Sequence, residues 1–258
     1  MKKKLVIYTA IIGGGYDNLH QPLAIREGVD FVCYVKKGMA NNSKNGAWEI
    51  REIDFENKDN TRVARYVKMH PHELFPEYEY CLWIDGNIQI SGNEVYDIIE
   101  KKIRNGVLVS SMQHPHVDCS YDDAYICMAM HKDKAWRILT QMAYLKIHGF
   151  PKGYGMYETN VFLRNNQSEV VERFNKQWWK ILSHMSRRDQ LGCMYSMWKL
   201  GIPTDYFMED GKNARNCEYF NYFPHTNKKC PTKSRSIARK WIVGAIKKTV
   251  GYRKNYSE

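Results

Sequence analysis

The stretch Tyr78–Ile90, YEYCLWIDGNIQI, decides the fold. From Tyr80 to Ile84 it is largely apolar, aromatic or β-branched, which reads as a buried strand. The run stops at Asp85, followed by Gly86 and Asn87. In open α/β sheets, ligands gather at the carboxyl ends of strands. A carboxylate there can hold a divalent cation against a diphosphate, because hard cations prefer oxygen and share it with substrate phosphates. Gly86 leaves room for a ligand to approach the backbone. Asp-Gly and Gly-Asn are also ordinary turn pairs, so this stretch alone leaves a plain strand-ending turn open.

Upstream, Lys4–Ile12 reads as a first strand running into the loop Gly13-Gly14-Gly15-Tyr16-Asp17-Asn18. Backbone N–H groups of such a loop can approach a nucleotide. The loop is neither a P-loop nor a dinucleotide fingerprint. Asp30–Val35 and Trp48–Ile53 read as the next strands. Asn60–His70 reads as a helix capped by Asp59 or Asn60. Its Arg62, Arg65 and Lys68 recur every three residues, either to meet a diphosphate or as a solvated basic face.

Downstream, a helix is expected at Glu94–Arg104 and a strand at Gly106–Met112. The strand leads into QHPHVDCSYDD, where His114, His116, Asp118, Asp122 and Asp123 crowd together. This segment reads as an active-site wall, or as acids in the first turn of a helix; its spacings match no zinc motif. Tyr125–His148 reads as mostly helical, interrupted near His131–Asp133. A short strand follows at Thr159–Leu163, then a strong helix at Ser168–Met185. A last helix from about Arg187 puts Asp189 and Gln190 in its first turn. The segment 202–227 reads as irregular and carries His225. Strands alternating with helices, with polar motifs at strand ends, predict an α/β sheet with a nucleotide at its C-terminal edge.

The 258 residues carry a net charge of +11, unevenly spread. Residues 228–258 hold ten Lys or Arg and one acid, leaving 29 basic and 27 acidic side chains in residues 1–227. The expected division is therefore one catalytic domain over 1–227 and a basic tail over 228–258. Charge confined to a tail, with no nucleic-acid module, argues against a nucleic-acid partner. In the tail, Ile237, Trp241, Ile242, Ala245, Ile246 and Val250 share one helical face, and Arg239, Lys240, Lys247 and Lys248 lie largely elsewhere. Such a helix suits an anionic membrane surface, or packing on the domain with its basic side in water. Seven scattered cysteines without a C-x-x-C pair point to reduced thiols and a cytoplasmic protein. MKKKLVIYTAIIGGG reads as a strand and loop rather than a signal peptide, and no apolar run is long enough to span a bilayer.

Taken together, YTAIIGGGYD, RVARYVKMHPHELFP, YEYCLWIDGNIQI, HPHVDCSYDDA, ETNVFLRNN and SRRDQLGC resemble a glycosyltransferase-like family formerly filed as domain of unknown function 616. The resemblance runs from about Tyr8 to His225 and implies the A-type glycosyltransferase fold: a mixed, mostly parallel sheet flanked by helices. It is distantly similar to glycosyltransferase family eight. It implies a nucleotide-sugar donor, commonly a UDP-sugar, and a divalent metal, Mn²⁺ or Mg²⁺. Asp85 and Asn87 occupy the place of the usual Asp-x-Asp, with a neutral amide as the second member, and His225 resembles the late His of the metal site. The resemblance places Tyr8, Thr9, Ala10, Asp17, Arg62, Arg65, Lys68, His114 and Asn160 at the donor. It makes Asp189, Gln190 and Glu158 the candidates for the chemistry, with retention favoured by distant analogy. The implied function is sugar transfer to a glycan or lipid-linked acceptor in surface polysaccharide synthesis. The alternative is a non-catalytic glycan- or nucleotide-sugar-binding or scaffold protein, recruited to the membrane by its tail.

Overall fold

The computed structural model describes residues 3–13, 15–209 and 211–226. The basic tail, and with it the proposed division at residue 227, lies outside the described residues. In chain order the elements are β1 (Lys3–Ile11), β2 (Val29–Lys36), β3 (Lys44–Asn45), β4 (Trp48–Ile53), α1 (Asn60–Met69), α2 (Pro71–Leu74), β5 (Tyr78–Ile84), β6 (Ile88–Ile90) and α3 (Glu94–Arg104). There follow β7 (Val109–Gln113), α4 (Ser120–Ala129), α5 (Ala135–Ile147), β8 (Tyr157–Asn165), α6 (Glu169–His184), α7 (Gln190–Lys199) and β9 (Phe220–Tyr222).

Seven strands form one sheet in the order β3-β4-β2-β1-β5-β8-β7. The β4-β2-β1-β5 core is parallel, whereas β3 and β8 run antiparallel to their neighbours. This is the mixed, mainly parallel α/β sheet expected from the sequence. Parallel strands are covered on both faces and so read as continuous apolar runs. In β1 and β5 the alternation shows which residue serves which face. Val6, Tyr8, Cys81 and Trp83 pack under Val63 and Val67 of α1 and Phe174, Trp178 and Ile181 of α6. Leu5, Ile7, Leu82 and Ile84 pack against Val95, Tyr96 and Ile99 of α3.

The antiparallel course of β8 matters for function. Its first residues, not its last, lie beside the C-terminal end of β5, and the Asp85 N–H donates to the Asn160 carbonyl at 2.8 Å. The segment expected to be irregular, 202–227, contains β9, which pairs antiparallel with β6. That two-stranded ribbon returns the chain to the same edge. The expected interruption after Tyr125 is real: α4 and α5 are separated by a turn at His131, which has φ +50°.

Candidate functional site

A cleft of about 570 Å³ opens at the C-terminal edge of β1 and β5. Its lining includes Ala10, Asp17, Arg65, Asp85, Asn87, Glu158, Asn160, Asp189, Gln190 and His225 among the residues singled out in the sequence. Tyr8, Thr9, Arg62, Lys68 and His114 are not among its lining residues.

The reason for the second group is geometric. Residues three apart on a helix are displaced by about 60°, so Arg62 and Lys68 diverge by about 120°. Arg62 donates to the Leu182 and Met185 carbonyls at the end of α6. These are the orphan acceptors of a helix C-terminus, where a cation is favoured. Arg65 alone of the three reaches the cleft wall. Lys68 points inward and is fully buried. Tyr8 is also buried, donating to the Lys68 carbonyl at 2.9 Å and accepting from Arg164. Thr9 lies in the core of β1. His114 is buried beside Asp123, 3.8 Å away.

Lys68 organises the floor. Its Nζ lies 2.5 Å from Asp189 Oδ2, 3.0 Å from Thr159 Oγ1 and 3.7 Å from Asp85 Oδ1. Thr159 Oγ1 donates onward to Asp189 Oδ2 at 2.9 Å, and Arg65 Nε stands 3.2 Å from the same oxygen. All three contacts fall on Oδ2. Oδ1 has none among the described residues, and Asp189 lines the cleft. Burial opposes the charge of Asp189, yet Arg65, Lys68 and Arg188 outweigh it and hold the carboxyl far below the usual carboxylate range. Asp189 stands at the N-cap position of α7 without a side-chain bond to the helix, and the positive end of the helix dipole favours its charge as well.

Asp85 accepts from Trp83 Nε1 at 2.7 Å, with Arg65 3.7 Å away. Gly86 plays a different part from the one its sequence suggests. A Cβ there would meet Ile11 Cδ1 at 2.6 Å, so protein rather than ligand crowds that position. The amide of Asn87 donates to the Phe223 carbonyl at 2.9 Å, and the Phe223 N–H returns a bond to the Asn87 carbonyl at 2.9 Å. This double link brings the chain after β9 across the cleft. There His225 Nδ1 lies 2.6 Å from Asp17 Oδ1, and its ring stacks on Tyr16 at 4.5 Å.

Glu158, Thr159 and Asn160 all line the cleft, where the pairing of β8 with β7 slips from Ser111 opposite Phe162 to Met112 opposite Glu158. Glu158 is buried and pairs through Oε1 with Arg215, whose guanidinium lies 4.6 Å above the Tyr222 ring. Glu158 Oε2 and both amide atoms of Asn160 are buried without a well-aligned hydrogen bond, although the Asn160 amide stands close enough to the Glu158 carboxyl to favour its charge. Burial pushes the Glu158 carboxyl up, and Arg215 only partly opposes this. Buried polar atoms are rarely left unpaired, so this bare group marks a place for a polar ligand.

Arg215, Arg187, Arg188, Tyr16 and Tyr222 also line the cleft and were given no role from the sequence. Arg187 and Arg188 stood in plain view within SRRDQ. Their position is set from afar: Asp133 Oδ2 accepts from Ser186 Oγ and from the Arg187 N–H, both at 2.9 Å, and Arg187 also meets Asp59 at 3.2 Å. Among the described residues no three His, Cys, Asp or Glu side chains group closely enough to hold a metal by themselves.

Comparison with known proteins places this geometry in context. A probable hexosyltransferase, MUCI70 of Arabidopsis thaliana, is 22% identical over 198 residues, covering 70% of this chain. The chain spans only 33% of that relative's length. Two solved structures overlap more loosely. The bifunctional glycosyltransferase WbbM matches at a TM-score of 0.45 and 11% identity, over 100% of this chain and 46% of that one. Mouse xyloside xylosyltransferase 1 matches at 0.42 and 11%, over 78% and 82%. Neither overlap is close enough to transfer a reaction. The model of the TOD1/MUCI70 glycosyltransferase-like domain matches residues 1–225, nearly the whole described chain, and the protein belongs to that family.

Proposed function

We propose that the protein transfers a hexose from a nucleotide sugar, a UDP-sugar in the first instance, to a glycan or lipid-linked acceptor in the assembly of a surface polysaccharide. The observation that carries this reading is the state of Asp189. One oxygen is tied down by two cations and a hydroxyl, and the other has no contact among the described residues, in a cleft at the C-terminal edge of the sheet.

In glycosyl transfer the anomeric carbon loses its bond to the diphosphate and gains one to an acceptor oxygen. Positive charge develops on the ring and negative charge on the leaving group. Asp189 is held ionised, which makes it a weak proton acceptor but a fixed negative charge against the ring. Glu158, with its raised affinity for a proton and its bare Oε2, is the better candidate to take the acceptor's hydroxyl proton. Arg65 and Arg188 line the cleft and would offer positive charge to the leaving diphosphate.

The residues running from Asp85 on the floor to His225 suit a divalent cation. The Asn87 amide nitrogen is committed to Phe223, which leaves Oδ1 as a neutral oxygen donor. His225 gives Nδ1–H to Asp17, and Nε2 has no hydrogen-bond partner among the described residues; a carboxylate behind a histidine is the usual support of a metal ligand. Asp85, Asn87 and His225 would hold the ion, with diphosphate oxygens completing its shell. When bound, it would supply further positive charge against the leaving group.

Replacing Asp189 by Asn keeps shape and removes charge. Asp189→Asn is expected to lower UDP-sugar turnover, followed as UDP release, by about a hundredfold or more, with UDP affinity nearly unchanged. Turnover equal to wild type would sink the role given to Asp189.

A further inference from the structure

We propose that the outward face of α5 is a docking surface for an anionic lipid bilayer. At 100° per residue, α5 sorts its side chains into two opposite apolar faces. Ile138, Gln141 and Leu145 point inward and are buried, with Met142 beside them; Ile138 packs against Ala124, Cys127 and Leu191 of α4 and α7. Trp136, Leu139, Ala143 and Ile147 fall within about 100° of one another on the opposite side. Trp136 is 60% exposed, Leu139 52% and Ile147 82%. A helix apolar on both sides belongs in a larger core or against lipid, whereas a surface helix of a lone domain turns a polar side to water.

Charge selects the occupant. α5 carries no acidic residue. Arg137 and Lys146 lie on the two flanks of the outward face, and Lys132, Lys134 and Lys152 stand in the adjoining turns. Of the acids nearby, Asp133 is engaged with Ser186 and Arg187, and Asp122 at the start of α4 lies beside Lys152. A second copy of the chain would bring the same basic flanks against each other. The segment 228–258 carries ten Lys or Arg against one acid, so it too is like-charged. An apolar stripe with an exposed Trp, flanked by Lys and Arg, is the composition of an interfacial helix on an anionic membrane. The surface is distinct from the basic tail. It also adjoins the cleft, because Lys132 in the turn before α5 lines it. Docking through α5 would hold that side of the cleft near the bilayer surface, where a lipid-linked acceptor would be presented.

The test uses the full chain with vesicles of phosphatidylcholine alone and of phosphatidylcholine mixed with phosphatidylglycerol. Trp136→Glu/Ile147→Glu changes only exposed positions, and its unfolding midpoint is measured beside wild type to show that it folds. Wild type is expected to float with the anionic vesicles, to float poorly with the neutral ones, and to be released by salt. The double variant is expected to bind the anionic vesicles about tenfold more weakly or worse. Equal binding of variant and wild type would overturn the proposal in favour of the tail. A wild type that ignores both vesicles but forms a dimer dispersed by the two substitutions would overturn it in favour of a second copy. Neither result bears on sugar transfer, which the Asp189 variant tests separately.

Discussion

His114 is a buried histidine used as an acceptor. Its Nδ1 takes hydrogen bonds from the His116 and Val117 N–H groups at 3.3 and 3.1 Å, which closes the turn before α4. Burial lowers its proton affinity from the usual 6.5 to about 4, with Asp123 only partly opposing. The sign follows from linkage. Between those values the unfolded chain binds a proton that the folded chain refuses, so stability present at neutral pH is lost as pH falls from 6.5 towards 4. The expected loss is about 3 kcal/mol from this residue. Urea unfolding at about pH 7 and about pH 4.5 measures it. His114→Asn, which keeps an acceptor but cannot titrate, is expected to lessen that slope without abolishing it, because burial also lowers His72 to about 4; an unchanged slope would assign the acid sensitivity elsewhere. At lower pH, Asp189 adds to the loss, because its stabilisation holds above the ordinary carboxylate range and disappears below it. The three cations of α1 show what sequence spacing leaves undetermined at this scale. Arg62 caps α6, Lys68 supports Asp189 and Arg65 lines the cleft; only the packing of α1 on α6 separates those fates.

Among the elements, the ribbon of β6 and β9 accounts for Asn rather than Asp at position 87. The side-chain amide is a donor to the Phe223 carbonyl, and an Asp carboxylate cannot donate. Asn87→Asp restores an Asp-x-Asp pattern but sets two acceptors against each other. It is expected to cost about 1–3 kcal/mol of stability. A thermal melt in the absence of divalent ions reads this, and a variant at least as stable as wild type would refute the role given to the amide. β9 itself was hidden in the sequence, because it has three residues and only Phe220 is buried. Arg215 was missed for the same reason: it belongs to a stretch with no periodicity, and only the fold brings it to Glu158. The long elements were legible. β1 and β5 are continuous apolar runs, and α3 and α6 place apolar residues at helical spacing, so burial on the sheet follows from their patterns alone. The last helix starts at Gln190 rather than near Arg187, because Ser186 and Arg187 bond to Asp133 instead of continuing a helix.

In the whole molecule, one edge of the sheet collects the chemistry. The loop after β1 brings Asp17, the end of β5 brings Asp85, the start of β8 brings Glu158 and Asn160, and the cap of α7 brings Asp189. Their convergence follows from topology, because parallel strands end together and an antiparallel neighbour begins where they end. Among the described residues no helix is long and apolar enough to cross a membrane. The six described cysteines are free and buried, which fits the reading of structural thiols. The central claim is that this edge holds a nucleotide sugar. The most direct measurement is the unfolding midpoint of wild type and Asp85→Ala with UDP-, GDP-, CMP- and dTDP-sugars, each with and without Mn²⁺. A bound ligand stabilises the native state by mass action. The expected result is a rise with UDP-sugars that is larger with Mn²⁺ and is lost in Asp85→Ala. Folded wild-type protein whose midpoint moves with none of the four classes would contradict the account.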